Sequence, residues 1–378
     1  MLRRGLVLFL FCLCAVMGAA QDLENLQIHG FATQGFLYSS HNNYLTMKSS
    51  AGSLQWTEGA ISVSDAVTNK LRIGIQLHMY HMGQFGGPDV RVDWASGDYK
   101  VNDYLGFRVG KIKTPLGLYN DSQDVDALFL WVLLPQAMYP NDNRDYDLSE
   151  MGGEVYGGIN LGERGGRVQC RGHVGASQLD ANGGYVQQLA EAGLTFPTPP
   201  GGKTYGGDLR WVTPWKEVTV GVSALSDSLD GIGPQGSVHL PASLTFAYYA
   251  QWRWNRLHLA TEVWKTPIDL TLTMGPLSIP NTVDQRAWYP MVSYDVTKKL
   301  QIGNYYSHYI NKAGDRSQPE NYSKDWVVSS RYDFNSYMYG KVEGHFLHGT
   351  ALGYYPSVNP NGLQANSDML AMRMGFSF

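Results

Sequence analysis

The stretch LRIGIQLHMY, residues 71–80, decides the fold class because every second residue in it is apolar. The apolar set is Leu71, Ile73, Ile75, Leu77 and Met79, and the residues between them are Arg72, Gly74, Gln76, His78 and Tyr80. Successive side chains of a β-strand point to opposite faces, so this alternation gives one oily face and one polar face. The pattern predicts a strand with different surroundings on its two sides.

The same alternation recurs along the whole chain. It is found in VRVDW (90–94), LGFRVGK (105–111), VQCRGHVGA (168–176), LTFAYYAQWRW (244–254), LHLATEV (257–263), WVVSSRYDF (326–334) and LAMRMGFSF (370–378). With the weaker candidates, we predict about sixteen strands of roughly 9 to 13 residues, a length that suits tilted strands crossing a bilayer. An even number of strands lets an antiparallel sheet close with both chain ends on one side.

Composition supports a transmembrane barrel over other classes. Of the 378 residues, 16% are charged, 12% are aromatic and 43 are Gly, whereas soluble domains carry about a quarter charged residues. Mean hydropathy is −0.25, and after the N-terminal leader no apolar run reaches the roughly 18 residues that a membrane helix needs. The sequence therefore excludes a helical membrane protein, disfavours a soluble enzyme and fits an all-β barrel whose strands face lipid and water alternately.

The N-terminus predicts a cleaved secretory signal. Two arginines, an apolar stretch over residues 6–16 and a small-residue run ending at Ala20 form the usual three parts of such a signal. We assign residues 1–20 to the signal peptide and residues 21–378 to the barrel. Only Cys170 remains after cleavage, which excludes an internal disulfide.

The lengths of the connections predict an orientation. Short turns fall near residues 65–69, 100–103, 162–166, 255, 297–299 and 335–336. Long polar loops fall near residues 41–53, 179–202, 229–242, 267–284, 311–323 and 350–367. Outer-membrane barrels place short turns on the periplasmic side and long loops outside, and we expect the same here.

Charged residues gather on the polar faces of the predicted strands. The cations in these positions include Arg72, Arg91, Arg108, Arg167, Arg171, Arg210, Arg253, Arg331, Lys341 and Arg373. A charge facing lipid costs about 2–4 kcal/mol at the middle of the bilayer, so the charges should face the lumen. The simplest interpretation is that they solvate the lumen and pair with one another. Their presence on many successive strands favours a water-filled channel.

The segment after the predicted fifth strand is the most specific feature of the chain. Residues 114–150 combine an apolar run at 128–134 with several carboxylates and one arginine. These carboxylates include Asp121, Asp124, Asp126, Asp142, Asp145 and Asp147. Because the apolar run would be poorly solvated outside, we expect a constriction loop inside the barrel. The alternative is a solvated acidic surface loop.

A constriction loop of this kind would place carboxylates opposite a basic wall. The wall residues that we predict are Arg72, Arg91, Arg108, Lys111 and Lys113, with Arg167 and Arg171 also lining the pore. Charged walls and rings set the selectivity of pores. We therefore expect Asp121, Asp124 and Asp126 to lie opposite the wall arginines.

The last strand ends on an aromatic residue. Residues 370–378 alternate and finish at Phe378, which resembles the signal that the outer-membrane assembly machinery reads. We predict that Phe378 is this assembly signal. A buried strand of a soluble sandwich would show the same alternation and is the alternative.

Three short motifs carry a family resemblance. The stretches GKIKTPLGLYND (110–121), LPQAMYP (134–140) and KVEGHF (341–346), with the terminal Phe378, are similar to Gram-negative outer-membrane porins related to the phosphate-selective porin O/P group. The resemblance implies a sixteen-stranded, trimeric diffusion channel whose third extracellular loop folds into the pore. The acidic loop differs from the dense lysine ladder of phosphate specialists.

Sequence patterns for catalysis are absent. There is no G-x-S-x-G, no H-E-x-x-H and no phosphate-cradling Gly loop. The histidine pairs 78/81 and 345/348 are three residues apart, so their members point to opposite faces of a strand. We expect no enzymatic activity, no cofactor and no metal, and the formal net charge of −4 disfavours nucleic-acid binding.

These observations predict an outer-membrane porin for passive diffusion of small hydrophilic solutes. A substrate-specific channel for small organic anions is the alternative, and a barrel enzyme or an adhesin comes third. The expected partners are outer-membrane lipid and lipopolysaccharide, the barrel assembly machinery, the permeating solutes and, in a homotrimer, further copies of the chain.

Overall fold

Sixteen long strands form one antiparallel sheet whose first and last strands pair, so the sheet closes into a barrel. The computed structural model describes residues 25–215 and 217–378, without the side chain of Asp145. The predicted signal peptide lies outside the described residues. None of the described helices is long and apolar enough to span a membrane. The prediction of a closed barrel with one long loop in its lumen is confirmed.

The strands follow one another around the barrel in chain order. They are β1 (Gln27–Ser39), β2 (Ser53–Asp65), β3 (Leu71–Met82), β4 (Phe85–Gly86), β5 (Arg91–Asn102), β6 (Leu105–Lys113), β7 (Ser149–Asn160), β8 (Arg167–Gln178), β9 (Gly201–Val212), β10 (Val218–Gly233), β11 (Gly236–Trp254), β12 (Leu257–Met274), β13 (Leu277–Asp295), β14 (Leu300–Ile310), β15 (Tyr322–Asp333), β16 (Met338–His348) and β17 (Asn366–Ser377). The two-residue β4 pairs only with the end of β3. Two short helices, α1 (Arg144–Leu148) and α2 (Gly184–Glu191), lie in the connections at the long-loop end.

The period of two in the sequence is the inside–outside alternation of the barrel wall. In β17, Ala371 and Arg373 are buried inside, whereas Met372 and Met374 are exposed on the outer surface. The strand paired with it, β1, buries Thr33 and exposes Ile28 and Tyr38 on the opposite face. Polar and charged side chains therefore face the lumen while apolar ones face outward, as a barrel in lipid requires.

Two of the six stretches that we expected to be long loops are strands. Residues 229–242 belong to β10 and β11, and residues 267–284 belong to β12 and β13, with tight turns between Gly233 and Gly236 and between Met274 and Leu277. A crossing needs about 9–11 residues, so these hairpins of 16 to 19 residues per strand project beyond the bilayer. Their apolar residues Leu229 and Leu240 pack in one cluster with Leu179 of the connection between β8 and β9. The contact of these three leucines explains why residues 229–242, although rich in Gly and Pro, remain part of the sheet.

The barrel closes at a seam where the C-terminal residue takes part in the pairing. Phe378 and Gly30 exchange two backbone hydrogen bonds of 3.0 and 3.1 Å. The Phe378 ring lies over Gly30, where a Cβ atom would come within 2.6 Å of it. The seam thus depends on an aromatic terminus packed against a residue without a side chain.

We expect deletion of Phe378 to lower the yield of folded barrel, because it removes two seam hydrogen bonds and the ring that covers Gly30. The measurement is the fraction of outer-membrane protein that runs as a heat-modifiable band. Phe378→Tyr, which keeps the ring and the backbone, is the control and should fold normally. Equal folded fractions in the deletion and the parent would show that Phe378 is dispensable for closure.

Candidate functional site

Residues 114–148, which we call the inner segment, cross the interior of the barrel from β6 to β7. The backbone N–H of Leu118 donates to Glu262 of β12 at 3.1 Å. The N–H groups of Val132 and Leu133 donate to Glu343 of β16 at 2.9 and 3.1 Å. Because both acceptors are buried on the inner face of the wall, the inner segment lies in the lumen.

The apolar run of the inner segment packs against one side of the wall. Leu130, Trp131 and Tyr139 form a buried cluster with wall residues of β11–β15, and the rings of Trp131 and Tyr305 meet edge to face at 5.0 Å. This burial removes residues 130–133 of the run from water, whereas Leu128 at its start is 65% exposed. It also fixes the segment to the wall formed by β11–β15.

Asp126 is the centre of one charged anchor of the inner segment. Its carboxylate lies 2.6 Å from Arg373 and 3.0 Å from Lys341, and it accepts a hydrogen bond of 2.7 Å from Tyr339. Burial alone would raise the pKa of Asp126, but Lys341 and Arg373 outweigh burial and lower the pKa to about 2. Asp126 is therefore a buried, ionised partner of two wall cations.

A second anchor joins the end of the inner segment to β3 and β5. Arg144 lies 2.7 Å from Asp93, and His78 lies between Glu58 at 3.0 Å and Asp93 at 3.5 Å. The register of β3 and β5 shifts between Gln76 and Leu77, so β5 carries an extra residue there. This bulge turns both Asp93 and Trp94 inward.

The predicted pairs across the lumen differ from those that form. Asp121 pairs with Arg171 at 2.5 Å, and Asp124 pairs with Lys113 at 2.6 Å. Neither these two carboxylates nor Asp126 pairs with Arg72, Arg91 or Arg108.

The wall arginines instead bind close neighbours. Arg108 lies 2.8 Å from Asp98, its direct partner in the β5–β6 register, and 3.3 Å from Glu154, its partner in β7. Arg91 pairs with Asp180 of the connection between β8 and β9. Strand register decides these pairs, and register is a non-local property.

The remaining predicted carboxylates of the segment lie near its end. Asp142 is buried and accepts a 2.5 Å hydrogen bond from Tyr355, and burial raises the pKa of Asp142. Burial and the nearby Asp227 and Asp142 raise the pKa of Asp147 well above its ordinary value. The side chain of Asp145 lies outside the described part.

Four connections meet over the inner segment at the long-loop end, and we call them the outer loops. They comprise residues 40–52, 83–90, 179–200 and 349–365. Asp142 joins two of them, because its carbonyl accepts from the N–H of Gly184 at 2.7 Å while its carboxyl accepts from Tyr355. The ring of Phe85 packs edge to face on Tyr355 at 5.1 Å, which brings in a third loop.

The fourth outer loop joins through backbone contacts. The N–H of Leu45 donates to the carbonyl of Gly353 at 2.8 Å, and Asn359 donates to the carbonyl of Asn43 at 2.9 Å. Tyr44, Leu45 and Met47 are buried with Val132 and Leu133 of the inner segment. The outer loops and the inner segment therefore form one packed unit at this end of the barrel.

A cavity of about 470 Å³, which we call the lower cavity, lies on the short-turn side of the inner segment. Its lining includes the cations Arg72, Arg108, Lys111 and Lys113, the acids Asp98 and Asp121, and Trp94. Lys111 donates to the carbonyl of Val92 at 2.6 Å. Arg171 reaches this region through its pair with Asp121, whereas Arg167 is exposed at the start of β8. Five of the predicted pore residues thus border one space.

Sequence reasoning missed the groups that hold the inner segment. Glu262 and Glu343 accept backbone N–H groups, and Lys341 donates to the carbonyls of Asp126 and Trp131 at 2.8 and 3.0 Å. The strand pattern placed Lys341 in the lumen but gave no sign of the partners of any of these three residues. Among the described residues, no cluster of His, Cys, Asp and Glu is arranged to hold a metal ion.

Solved structures with the same fold are outer-membrane proteins of Gram-negative bacteria. Salmonella typhi OmpF, in complex with daunomycin, matches with a TM-score of 0.61 and 13% identity over 95% of this chain and 99% of that one. The anion-selective porin of Comamonas acidovorans gives 0.59 and 12% over 93% and 98%. The trimer form of Vibrio cholerae OmpT gives 0.57 and 10% over 93% and 99%. No protein-family model and no curated protein matches the sequence.

We expect Asp126→Asn to lower the stability of the folded barrel by roughly 2 kcal/mol at pH 7, because Lys341 loses its charged partner. The carboxyl pKa is lowered on folding, so its contribution is present above the unfolded value of about 4 and is lost as pH falls toward 2. The measurement is the heat-unfolding midpoint of variant and parent from pH 7 to pH 2. Asp103→Asn in an exposed turn is the control. A gap that persists unchanged at pH 2 would contradict this account.

We expect Tyr355→Phe to loosen the outer loops, since Oδ2 of the buried Asp142 carboxyl loses its hydrogen-bond donor, while Asn143 still donates to Oδ1. An unpaired buried polar group costs about 1–3 kcal/mol, so local opening should become at least about fivefold more frequent. The measurement is amide hydrogen exchange of residues 180–191. Tyr337→Phe, at an exposed site in the opposite end, should leave this exchange unchanged. Equal protection in Tyr355→Phe and the parent would show that the hydrogen bond between Tyr355 and Asp142 does not hold the loops together.

Proposed function

We propose that this protein is an outer-membrane channel for passive diffusion of small hydrophilic solutes. The observation that carries the proposal is a charged cavity inside a closed barrel, bordered by the inner segment on one side and the β3–β6 wall on the other. Polar side chains facing an enclosed interior suit a water-filled lumen. The fold shared with the porins supports the same conclusion.

The inner segment is the constriction of this proposed channel. It is fastened to β12–β17 through Glu262, Glu343, Lys341 and Arg373, so it cannot drift across the lumen. The opposite wall, β3–β8, carries Arg72, Arg108 and Arg171. A solute would pass between the acidic edge of the segment and this basic wall, where charge selects among solutes.

Asp121 is the carboxylate of the segment that a passing ion would meet. Its side chain is 41% exposed, whereas the side chains of Asp124 and Asp126 are 0% and 6% exposed. Exposed charges act on ions through solvent, while buried pairs largely cancel. Asp121 and the exposed Arg72 therefore set the ion preference in this proposal.

A channel for small organic anions is the second candidate. The lower cavity favours it, because four cations and two carboxylates line that space. The resemblance to the phosphate-selective O/P group rests on the three short motifs, and the acidic edge of the inner segment argues against a phosphate preference. Removal of residues 1–20, contact with outer-membrane lipid and lipopolysaccharide, assembly by the barrel machinery and a homotrimeric state complete the proposal.

The test is conductance in planar bilayers with reversal potentials in asymmetric salt. We expect Asp121→Asn to shift selectivity toward anions and Arg72→Gln to shift it toward cations. Both shifts should shrink at high salt, since the Debye length falls from about 10 Å at 0.1 M to about 3 Å at 1 M.

Asp315→Asn is the control, because Asp315 lies in the external connection 311–321 and should leave the reversal potential unchanged. If both pore variants keep the parent potential at low salt, neither residue lies on the ion path. If the purified barrel shows no conductance at all, the channel proposal fails.

A further inference from the structure

Trp94 enters the lumen because of the bulge in β5. The register shift opposite Gln76 and Leu77 gives β5 one extra residue, so Asp93 and its neighbour Trp94 both turn inward. The indole lies over Gly74 of the adjacent strand, where a Cβ atom would come within 2.9 Å of the ring. The absence of a side chain at Gly74 therefore leaves room for a flat ring against the wall.

The indole borders the lower cavity and has unused binding capacity. Lys113 lies over the ring at 5.8 Å, on the side of the inner segment. The indole N–H is buried and has no acceptor within the described part of the chain. A buried donor without an acceptor is unfavourable.

Arg72 is a cation of the lower cavity that forms no ion pair with the described residues. Its guanidinium donates to the side-chain oxygens of Gln27 and Ser64, both at 3.2 Å, and both acceptors are neutral. Within the described residues, no carboxylate lies at ion-pair distance from Arg72. By contrast, Arg108 and Lys113 of the same cavity are paired with Asp98 and Asp124. Arg72 is thus the cavity cation best placed to receive an anion from solution.

We infer that the lower cavity binds a small organic anion that carries a flat ring, with its carboxylate on Arg72 and its ring against Trp94. The volume of about 470 Å³ is within the usual range of small-molecule sites. This inference rests on the proposed channel function, because a solute reaches the cavity through the lumen. It goes further by naming the solute class and the two residues that recognise it.

Benzoate is the probe, and equilibrium dialysis against the detergent-solubilised barrel is the measurement, with detergent alone as the blank. Acetate carries the charge without the ring, and benzyl alcohol carries the ring without the charge. We expect benzoate to bind at least about tenfold more tightly than either. Equal binding of acetate and benzoate would overturn the role of the ring, and equal binding of benzyl alcohol would overturn the role of the charge.

Substitutions of Arg72 and Trp94 test whether these residues form the binding site. Arg72→Gln should weaken benzoate binding about tenfold, and Trp94→Leu should weaken it about fivefold, while Trp94→Phe should retain most of it. Arg164→Gln and Trp254→Leu, at exposed sites of the short-turn end, are the matched controls and should bind as the parent does. Heat modifiability confirms that each variant is folded.

Dialysis keeps this inference separable from the channel proposal. Unchanged benzoate affinity in folded Arg72→Gln and Trp94→Leu would overturn the site even if the barrel conducts ions. Conversely, site-dependent binding without any conductance would support the site and overturn the diffusion channel.

Discussion

A chain that crosses a bilayer must pair every backbone N–H and C=O group internally, and the structure follows from that constraint. The pairing of β1 with β17 closes the sheet, and Phe378 extends the seam by two hydrogen bonds with Gly30. Closure makes the two faces unequal: one meets lipid and the other encloses a lumen. Charges are costly on the lipid face, so the lumen receives the arginines and carboxylates. Closure of the sheet alone therefore produces a charged interior, whatever function that interior then has.

The inner segment must also pair its backbone N–H and C=O groups, although no strand lies beside it as a partner. Wall side chains provide them: Glu262 and Glu343 accept N–H groups, while Arg331 and Lys341 donate to carbonyls. Buried charges are tolerated only when paired and hydrogen-bonded, and here each charge satisfies backbone groups that would otherwise be orphaned. Many lumen charges of β12–β17 therefore fasten the segment and are unavailable to passing ions.

The sequence was sufficient for the closed barrel and for the lumen face of cations such as Arg108, Lys341 and Arg373, because a period of two is local information. It identified residues 114–150 as a lumen segment from the conflict between its apolar run and water. It did not predict that Arg108 would pair with Asp98 and Glu154, since strand register is set by the whole sheet. It also could not show the bulge that turns Trp94 inward, or the contact of Leu179 with Leu229 and Leu240 that covers the long hairpin of β10 and β11.

The two sides of the lumen differ because some charges hold the inner segment and others face the aqueous space. On β16 and β17, Lys341 and Arg373 are buried against the inner segment, with 1% and 6% of their surface exposed. On β3–β8, Arg72 is exposed and borders the lower cavity. Coulomb interaction with a mobile ion needs an accessible partner, so a charge already paired in a buried site contributes little field in the aqueous space. Selectivity should therefore depend on the exposed charges Arg72 and Asp121, and stability on the buried pairs around Asp126 and Arg144. The two properties can be altered separately by substitutions at exposed and at buried charges of one lumen.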